Sequence, residues 1–529
     1  ASLVNAALTS AGAAALLVLI LWPKTAKPAL TDGKTAQSQP ISREARALRR
    51  VDKRMLEGIV KHAIGDKSEY TYLFSDTCPL QFDTPPTLKS AEFRSPLYGS
   101  GRQRSLTGGD GFLPELIYNI TGNYVISQQV FNPTTETPED AKRFLLTAPR
   151  KSIIMNPHDA KVAIVTCGGL CPGLNVVIRE LVMALVYNYG TTEIYGIKDG
   201  YMGFYEPNSI IKLTPSDVVD IHTLGGTFLR TSRGGWDLQK IAHSIETNGF
   251  NQVYIIGGDG THRGITALFE EFQRRGSAVS FIGIPKTIDN DIPLIDKSFG
   301  FDTAVEEAQR AINSANVEAN SAAYGVGLVK LMGRNSGFIA LHSALANRDV
   351  NLCLIPEAKY ELSGDDGVYN YIYRRLLAKQ HAVIVLAEGA ASGCADEKLE
   401  VEGTDASGNP ILFDIGSHIK KGLLKHCKAK GMDVTLKYID PTYMIRTVPA
   451  QASDKILCSV LAQAAVHGAF AGFTGFSVGT VGNHSCFIPV TTLTNANEGF
   501  EAKPGQRRVN PATSSNWWRL LASTGQPVF

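Results

Sequence analysis

The segment "NQVYIIGGDGTHRGITALFEEF", residues 251–272, decides our interpretation of the fold. It begins with an apolar run typical of a buried strand and ends with the spacing of an amphipathic helix. Between the two stands "GGDGT", residues 257–261, with three glycines and one carboxylate. A strand, a glycine-rich turn and a helix in this order are typical of α/β proteins with parallel sheets.

The same pattern recurs along the chain from Lys161 onwards. Amphipathic segments such as "DTAVEEAQRAINSANVEA" and "DDGVYNYIYRRLLAK" alternate with short apolar runs. The runs predict six buried parallel strands: "KVAIVT", "QVYIIG", "VSFIGIP", "GVGLVKL", "NLCLIPE" and "AVIVLAEG". We therefore predict a doubly wound α/β protein, and 529 residues suffice for two or more lobes. Ligands of such sheets bind at the carboxyl ends of the strands. Those ends are "CGGLCPGLN", "GGDGT", "PKTIDND", "MGRNSG" and "AEGA".

Composition limits the kind of ligand that these strand ends bind. Lys and Arg number 52 against 50 Asp and Glu, so the chain has no bulk positive charge and we expect no nucleic-acid partner. An anionic ligand must then be held by local geometry. Eight cysteines in a chain of this length indicate a reducing compartment.

The N-terminus differs from the rest of the chain. Residues 1–22 carry no charge, and a helix of that length reaches across a hydrocarbon core of about 30 Å. Trp22, Lys24 and Lys27 follow as expected at a membrane interface. A cleavable targeting signal is the competing interpretation. We divide the chain into a membrane anchor or targeting remnant (1–27), a linker and N-terminal extension (28–150), and the two α/β lobes (151–529).

The "GGDGT" loop has the properties of a phosphate site. Glycines allow backbone N–H groups to approach a polyphosphate, and the N-terminus of the following helix favours negative charge. Asp259 would repel a bare phosphate, which indicates that it acts through Mg²⁺ bound to phosphoryl oxygens.

"PKTIDND", residues 285–291, adds the groups needed for phosphoryl transfer. A turn rich in Asp explains one acid, but it does not explain two acids beside a cation and a hydroxyl. A carboxylate can accept the proton of an attacking hydroxyl, and a neighbouring cation stabilises the transferring group. The residues concerned are Lys286, Thr287, Asp289 and Asp291. Arg334 in "MGRNSG", with Tyr443 and Arg446 in "YMIR", suits the phosphate of a sugar acceptor.

From about Lys161 to the C-terminus the chain resembles the phosphofructokinases, in particular the ATP-dependent plant-type branch. The resemblance rests on "CGGLCPGLN", "GGT" with "TSRGG", "GGDGT", "PKTIDNDIP", "KSFGFDTAVEEAQRAIN", "VKLMGRNSGFIA", "AEGA", "YIDPTYMIR" and "STGQP", in that order. It implies two Rossmann-like lobes with mostly parallel sheets in residues 151–529, preceded by the candidate transmembrane helix. It also implies transfer of the γ-phosphoryl group of Mg-ATP to the 1-hydroxyl of fructose 6-phosphate, and a homo-oligomer.

The resemblance also implies roles for individual residues. Asp289 matches the catalytic base, with Lys286, Thr287, Asp291 and Arg334 at the reaction centre. Matches to the sugar-phosphate site are Met332, Gly333, Arg334, Glu388, Lys437, Tyr443 and Arg446. Matches to the nucleotide site are Gly169, Tyr201, Arg233, Gly258, Asp259, Gly260 and Thr261, with Asp259 the partner of Mg²⁺.

Three positions depart from relatives. Gly325 stands where bacterial enzymes contribute an arginine across a subunit interface, which puts a shared acceptor site in doubt. Arg230 stands where many relatives have glycine. Pyrophosphate-dependent members share the lysine of "PKTIDND" but typically carry aspartate at the position of Gly260, where a carboxylate would repel the α-phosphate of ATP. Gly260 therefore favours ATP, while Lys286 alone would favour pyrophosphate.

Other functions remain open at this stage. Lipid and NAD kinases also use a "GGDGT" loop, but they lack the "PTYMIR" and "MGR" elements. A catalytically idle structural subunit of a membrane complex is a further alternative, although the chain keeps Asp289, Asp259 and Arg334. The predicted location is a membrane, with the catalytic region in the cytosol, the plastid stroma or the mitochondrial matrix.

Overall fold

Fifteen strands and eleven α-helices form the described part of the chain in a computed structural model. It describes residues 87–88, 93–94, 124–126, 142–150, 152–395, 399, 403–404, 411–495 and 507–509. The strands are β1 (Phe93–Arg94), β2 (Tyr124–Ile126), β3 (Arg143–Leu146), β4 (Ser152–Ile153), β5 (Lys161–Thr166), β6 (Glu193–Ile197), β7 (Ile210–Lys212), β8 (Gln252–Gly257), β9 (Ser280–Pro285), β10 (Gly325–Leu331), β11 (Leu352–Leu354), β12 (His381–Ala387), β13 (Thr435–Ile439), β14 (Phe476–Val481) and β15 (His484–Pro489).

The helices lie between the strands for most of the chain. They are α1 (Leu174–Met183), α2 (Pro215–Val218), α3 (Leu238–Asn248), α4 (Asp259–Arg275), α5 (Phe301–Asn320), α6 (Phe338–Ala346), α7 (Val368–Lys379), α8 (Ile415–Ala429), α9 (Thr442–Arg446), α10 (Ala452–Phe470) and α11 (Val490–Asn495). A π-helical turn (Ala184–Tyr189) extends α1, and short 3₁₀ turns cover Gly200–Phe204, Ile221–Thr223 and Ala390–Gly393.

The larger lobe is built on a nine-stranded sheet in the order β2-β3-β15-β14-β9-β8-β5-β6-β7. Strands β14, β9, β8, β5 and β6 run parallel, and the strands outside them are antiparallel. All six residues of β8 and of β9 are buried, because helices cover both faces of a parallel sheet. The central five strands form the predicted Rossmann-like arrangement.

The smaller lobe contains four parallel strands in the order β11-β12-β10-β13. The chain passes from β9 into this lobe through α5, which packs on β10, β12 and β13. It returns through α10, which packs on α1, before adding β14 and β15 to the larger sheet. Each lobe is therefore an α/β layer structure, as predicted.

The six strands predicted from the apolar runs are present as β5, β8, β9, β10, β11 and β12. Two strands of the larger sheet, β2 and β3, come from the segment predicted to be linker and extension, and Phe144 in β3 is fully buried. That segment therefore contributes to the larger lobe as well as preceding it.

The candidate membrane span, residues 1–22, and the "STGQP" motif lie outside the described residues. Within the part of the chain that the structure describes, no helix is both long and apolar enough to cross a bilayer.

Candidate active site

Three of the predicted loops lie side by side at one edge of the larger sheet. In the sheet register Thr166 lies opposite Ile256, and Gly257 lies opposite Pro285. The loops that follow β5, β8 and β9 therefore leave the sheet together. They carry "CGGLCPGLN", "GGDGT" and "PKTIDND".

The "GGDGT" loop is the first turn of α4. Gly258 precedes the helix and Asp259 begins it, so the N-terminal turn of α4, whose N–H groups have no partner within the helix, follows the end of β8 directly. A Cβ atom placed on Gly260 would meet no heavy atom within 4 Å, which leaves open space above the turn. The Tyr201 hydroxyl, which is buried, donates to the carbonyl oxygen of Thr261 at 3.0 Å. This hydrogen bond from Tyr201 holds the loop in place.

Cationic side chains surround Gly169. Lys286 Nζ donates to the Gly169 carbonyl oxygen at 2.8 Å. A Cβ atom on Gly169 would lie 3.5 Å from Arg233 Nη2 and 3.9 Å from Arg446 Nη1. Gly169 therefore lies beside both Arg233, which the resemblance matches to the nucleotide site, and Arg446, which it matches to the sugar-phosphate site. Burial lowers the pKa of Lys286, and the neighbouring thiol of Cys171 acts in the opposite direction.

The loop after β9 presents a buried acid with an unused oxygen. Thr287 Oγ1 donates to Asp291 Oδ1 at 3.2 Å and accepts the backbone N–H of Asp289 at 3.1 Å. Among the described residues, Asp289 Oδ1 is buried and has no hydrogen-bond partner. A buried acceptor without a donor is costly in a folded protein, and such an atom indicates a place for a ligand group.

Electrostatics make Asp289 a stronger base than an ordinary aspartate. Burial, followed by repulsion from Asp291 and Glu388, raises the pKa of Asp289 well above its usual range. The positive charges of Arg334 and Lys286 oppose that rise. The acid therefore sits among charges of both signs, as expected of a group that exchanges a proton during catalysis.

Two residues that we did not identify from the sequence shape this loop. Asn290 adopts the left-handed conformation (φ 55°), and its Oδ1 accepts the backbone N–H of Ser298 at 3.0 Å. Ser336, which is fully buried, donates from its hydroxyl to the carbonyl oxygen of Asp289 at 3.2 Å. The positive φ of Asn290 is compatible with asparagine, which tolerates this conformation better than most residues.

The acceptor turn follows β10 in the smaller lobe. Leu331 lies opposite Ala387, so the residues Met332–Arg334 and Glu388 leave the sheet next to each other. Gly333 has φ 128°, and a Cβ atom there would lie 2.4 Å from the carbonyl oxygen of Ser336. This turn therefore requires glycine. Burial raises the pKa of Glu388, and the charge of Arg334 opposes the rise.

Tyr443 and Arg446 occupy the short helix α9. The Arg446 guanidinium lies over the Tyr443 ring at 4.8 Å from its centroid, while Tyr443 itself is 72% exposed. Arg446 thus reaches the cluster around Gly169, and Tyr443 stays at the surface beside it.

The structure does not bring Lys437 into this cluster. Lys437 lies opposite Gly327, well before the carboxyl end of β10. Its Nζ lies 3.5 Å from Glu318 Oε2, and both side chains are about half exposed. Within one chain, Lys437 is therefore a surface residue of the smaller lobe.

The other departures from relatives have structural explanations. A Cβ atom on Gly325 would lie 2.0 Å from the carbonyl oxygen of Ala319, so the end of α5 occupies the space of a side chain. Arg230 has φ 56°, a conformation that favours glycine, and it forms an ion pair with Asp199. Its charge is therefore partnered within the protein.

Asp259, the residue predicted to be the partner of Mg²⁺, lies close enough to Asp291 for the two carboxylates to repel each other. Burial, and then the negative charge of Asp259, raises the pKa of Asp291 to about 7. A cation between these two carboxylates would relieve that repulsion. Among the described residues no group of three or more His, Cys, Asp or Glu side chains is arranged to hold a metal. One or two carboxylates with substrate phosphates are, however, the usual ligands of Mg²⁺ in phosphoryl-transfer sites.

A glycine loop at a helix N-terminus, a buried acid and an arginine turn, all at the ends of parallel strands, define an α/β phosphotransferase. A family model described as phosphofructokinase matches residues 161–469. The chain belongs to the phosphofructokinase family.

Individual relatives agree with this assignment. The chain is 53% identical to ATP-dependent 6-phosphofructokinase 1 of Arabidopsis thaliana over 388 residues, which cover 73% of this chain and 80% of the relative. It is 49% identical to the chloroplastic ATP-dependent 6-phosphofructokinase 4 of that plant over 415 residues, covering 78% and 76%. The crystal structure of a pyrophosphate-dependent phosphofructokinase from Marinobacter aquaeolei has the same fold, with a TM-score of 0.55, 15% identity, and coverage of 70% and 92%.

Proposed function

We propose that the protein transfers the γ-phosphoryl group of ATP to the 1-hydroxyl of fructose 6-phosphate, giving fructose 1,6-bisphosphate and ADP. The observation that carries the proposal is the buried, unpartnered Asp289 Oδ1 between the "GGDGT" loop and the "MGR" turn. Relatives named ATP-dependent 6-phosphofructokinase support the same reaction.

The donor binds at the first turn of α4. Backbone N–H groups from Gly258 to Thr261 bind phosphoryl oxygens, and Arg233 adds charge beside Gly169. Asp259 and Asp291 would hold Mg²⁺, which would supply positive charge that polarises the phosphates. Lys286 fixes the Gly169 carbonyl and directs its charge towards the transferring group.

The acceptor binds at the ends of β10 and β12. Arg334 and Arg446 bind the 6-phosphate, while Glu388 accepts hydrogen bonds from sugar hydroxyls. Asp289 then accepts the proton of the 1-hydroxyl as that oxygen attacks the γ-phosphorus. The raised pKa of Asp289 strengthens it as a proton acceptor, and the charges of Lys286 and Arg334 favour the ionised form that can accept.

The direct experiment is a coupled assay of the purified chain with fructose 6-phosphate and either ATP or pyrophosphate. We expect turnover with ATP and product phosphorylated at both ends of the sugar. Turnover only with pyrophosphate would instead identify the second candidate, which Lys286 favours. An absence of turnover with both donors would support a catalytically idle subunit.

Assembly and location form a second part of the proposal. We infer a homo-oligomer, because Lys437, which the resemblance matches to the sugar-phosphate site, lies at the surface of its own chain beside Glu318, where a neighbouring copy can meet it. Residues 1–22 anchor the chain to a membrane, with the catalytic lobes in the cytosol or in an organelle such as the plastid, as the chloroplastic relative supports. Sedimentation of the detergent-solubilised protein tests the oligomer.

A further inference from the structure

Residues Arg507–Val509 bond at one end to the loop after β9 and at the other end to Glu357 of the smaller lobe. Arg507 donates its backbone N–H to the carbonyl oxygen of Asp291 at 2.7 Å. Its guanidinium Nη1 donates to the carbonyl oxygens of Ile295, at 2.9 Å, and Asp296. One residue thus binds three carbonyl groups of the loop that carries Asp289 and Asp291.

That loop needs external contacts to keep its shape. Asn290 and Leu294 both adopt positive φ, 55° and 69°, in which a residue other than glycine costs on the order of 1 kcal/mol. The far end of the loop is fixed to the larger lobe, because Asp296 donates its N–H to Thr480 O at 2.8 Å. The middle of the loop is held by Arg507 from the other side.

The opposite end of the same three residues is fixed to the smaller lobe. Val509, which is buried, donates its N–H to Glu357 Oε1 at 2.9 Å. The same oxygen accepts the N–H of Gly337 at 2.9 Å, just before α6 begins. Glu357 therefore ties Val509 to the turn that carries Arg334.

A cation–π contact also connects Arg507 directly to the smaller lobe. The Arg507 guanidinium lies over the ring of Phe338, the first residue of α6, at 4.9 Å from its centroid. Three extended residues span at most about 10 Å, so a shift of either lobe is transmitted directly to the other anchor.

We propose that Arg507 and Glu357 are positioning residues: together with Val509 they set the distance between the Asp289 loop and the Arg334 turn. The inference rests on the proposed function, because the two parts that are held together are the base and the sugar-phosphate turn. Val509 and Glu357 act on the turn that carries Arg334, so the larger effect is expected on the acceptor side and on the chemical step.

Four variants test this role in the full-length protein. We expect Arg507→Ala and Glu357→Ala each to lower kcat by about tenfold or more and to raise KM for fructose 6-phosphate more than KM for ATP. Glu357→Gln keeps an oxygen for both N–H donors and should restore near-parental kinetics. Arg348→Ala, an exposed arginine on the loop after α6, is the matched control and should change nothing.

A double variant shows whether Arg507 and Glu357 act through one connection, the segment Arg507–Val509 that we call the strap, or as two independent supports. If they act through the strap, kcat of the double variant Arg507→Ala with Glu357→Ala should lie no more than about twofold below kcat of the less active single variant. Multiplied losses, an equal rise in KM for both substrates, or parental kinetics in Arg507→Ala would overturn the proposal.

A readout without turnover keeps this test separate from the proposed function. Backbone amides of residues 290–292 and 294–296 should exchange hydrogen about tenfold faster in Arg507→Ala than in Arg348→Ala, whatever substrate the enzyme uses. Unchanged exchange in this loop would refute the strap even if the protein is an active phosphofructokinase. Faster exchange in a chain without kinase activity would support the strap and refute the proposed function.

Discussion

Replacing Gly260 by aspartate tests why this chain uses ATP. Gly260 is the second residue of α4, and a Cβ atom there meets nothing within 4 Å, so the protein itself does not resist a larger side chain. An acid in the first turn of a helix is favourable by about 0.3–1 kcal/mol. The Gly260→Asp protein should therefore fold at least as stably as its parent, and any loss of activity reflects the ligand.

The size of that loss follows from charge. Two like unit charges at about 4 Å repel by about 4 kcal/mol at an effective dielectric constant of about 20, and by about 3 kcal/mol at about 6 Å. Screening by Mg²⁺ and solvent reduces this to about 2–3 kcal/mol. Because 1.4 kcal/mol corresponds to a factor of ten, kcat/KM for ATP should fall by about 30- to 150-fold.

Gly260→Asn is the matched control, because it has the same shape without the charge. Initial rates should be measured for the parent, Asn and Asp proteins with ATP and with pyrophosphate, and melting temperatures should accompany them. We expect the Asn protein to keep most of its ATP activity and the Asp protein to lose it. Equal kcat/KM for ATP in the Asn and Asp proteins would refute the charge argument.

Three further predictions concern the base, the core and the N-terminus. Asp289→Asn should lower kcat by about a hundredfold or more with little change in KM for fructose 6-phosphate, since it removes proton acceptance; unchanged kcat would exclude that role. Buried His467, which bonds Tyr189, has its pKa lowered by burial to about 4. Between about pH 6.5 and 4 the His467 imidazole binds a proton in the unfolded state but not in the folded state. The free energy of unfolding is therefore highest above pH 6.5, and up to about 3 kcal/mol of it is lost as the pH falls to about 4. Urea unfolding should show this slope in the parent, and a flatter one in His467→Gln. The uncut chain should resist carbonate extraction from membranes and become soluble and active when cut after about residue 30; complete recovery of the uncut chain in the soluble fraction would contradict an anchor.

The central strands were predictable because a strand buried on both faces is apolar along most of its length. Strand β8 has six consecutive buried residues, and its sequence is apolar without interruption after Gln252. Strand β13 has the pattern of an edge strand with no residue fully buried, so its sequence, "TLKYI", carries no comparable signal. Strands β2 and β3 are three and four residues long, too short for any periodicity to be recognised.

The candidate site likewise contains residues that the sequence indicates and residues that it does not. Lys286, Thr287, Asp289 and Asp291 could be identified because a cluster of reactive groups at a strand end is unusual on chemical grounds. Ser336 could not, since its contribution is one hydrogen bond to a backbone carbonyl 47 residues away. The resemblance also matches Lys437 to the sugar-phosphate site, and within one chain its half-exposed side chain lies beside Glu318.

The order of strands in the larger lobe has a consequence for biosynthesis. Strand β14 pairs with β9, yet the whole smaller lobe is translated between them. A nascent chain that ends before Phe476 therefore exposes the hydrogen-bonding edge of β9, and such an open edge favours aggregation. The larger lobe therefore cannot be completed first, in contrast to the N-terminal domains of many proteins, which fold before the rest of the chain is synthesised. The larger sheet is complete only once β15 has been translated, so the edge of β9 stays open, and needs protection, throughout the synthesis of the smaller lobe.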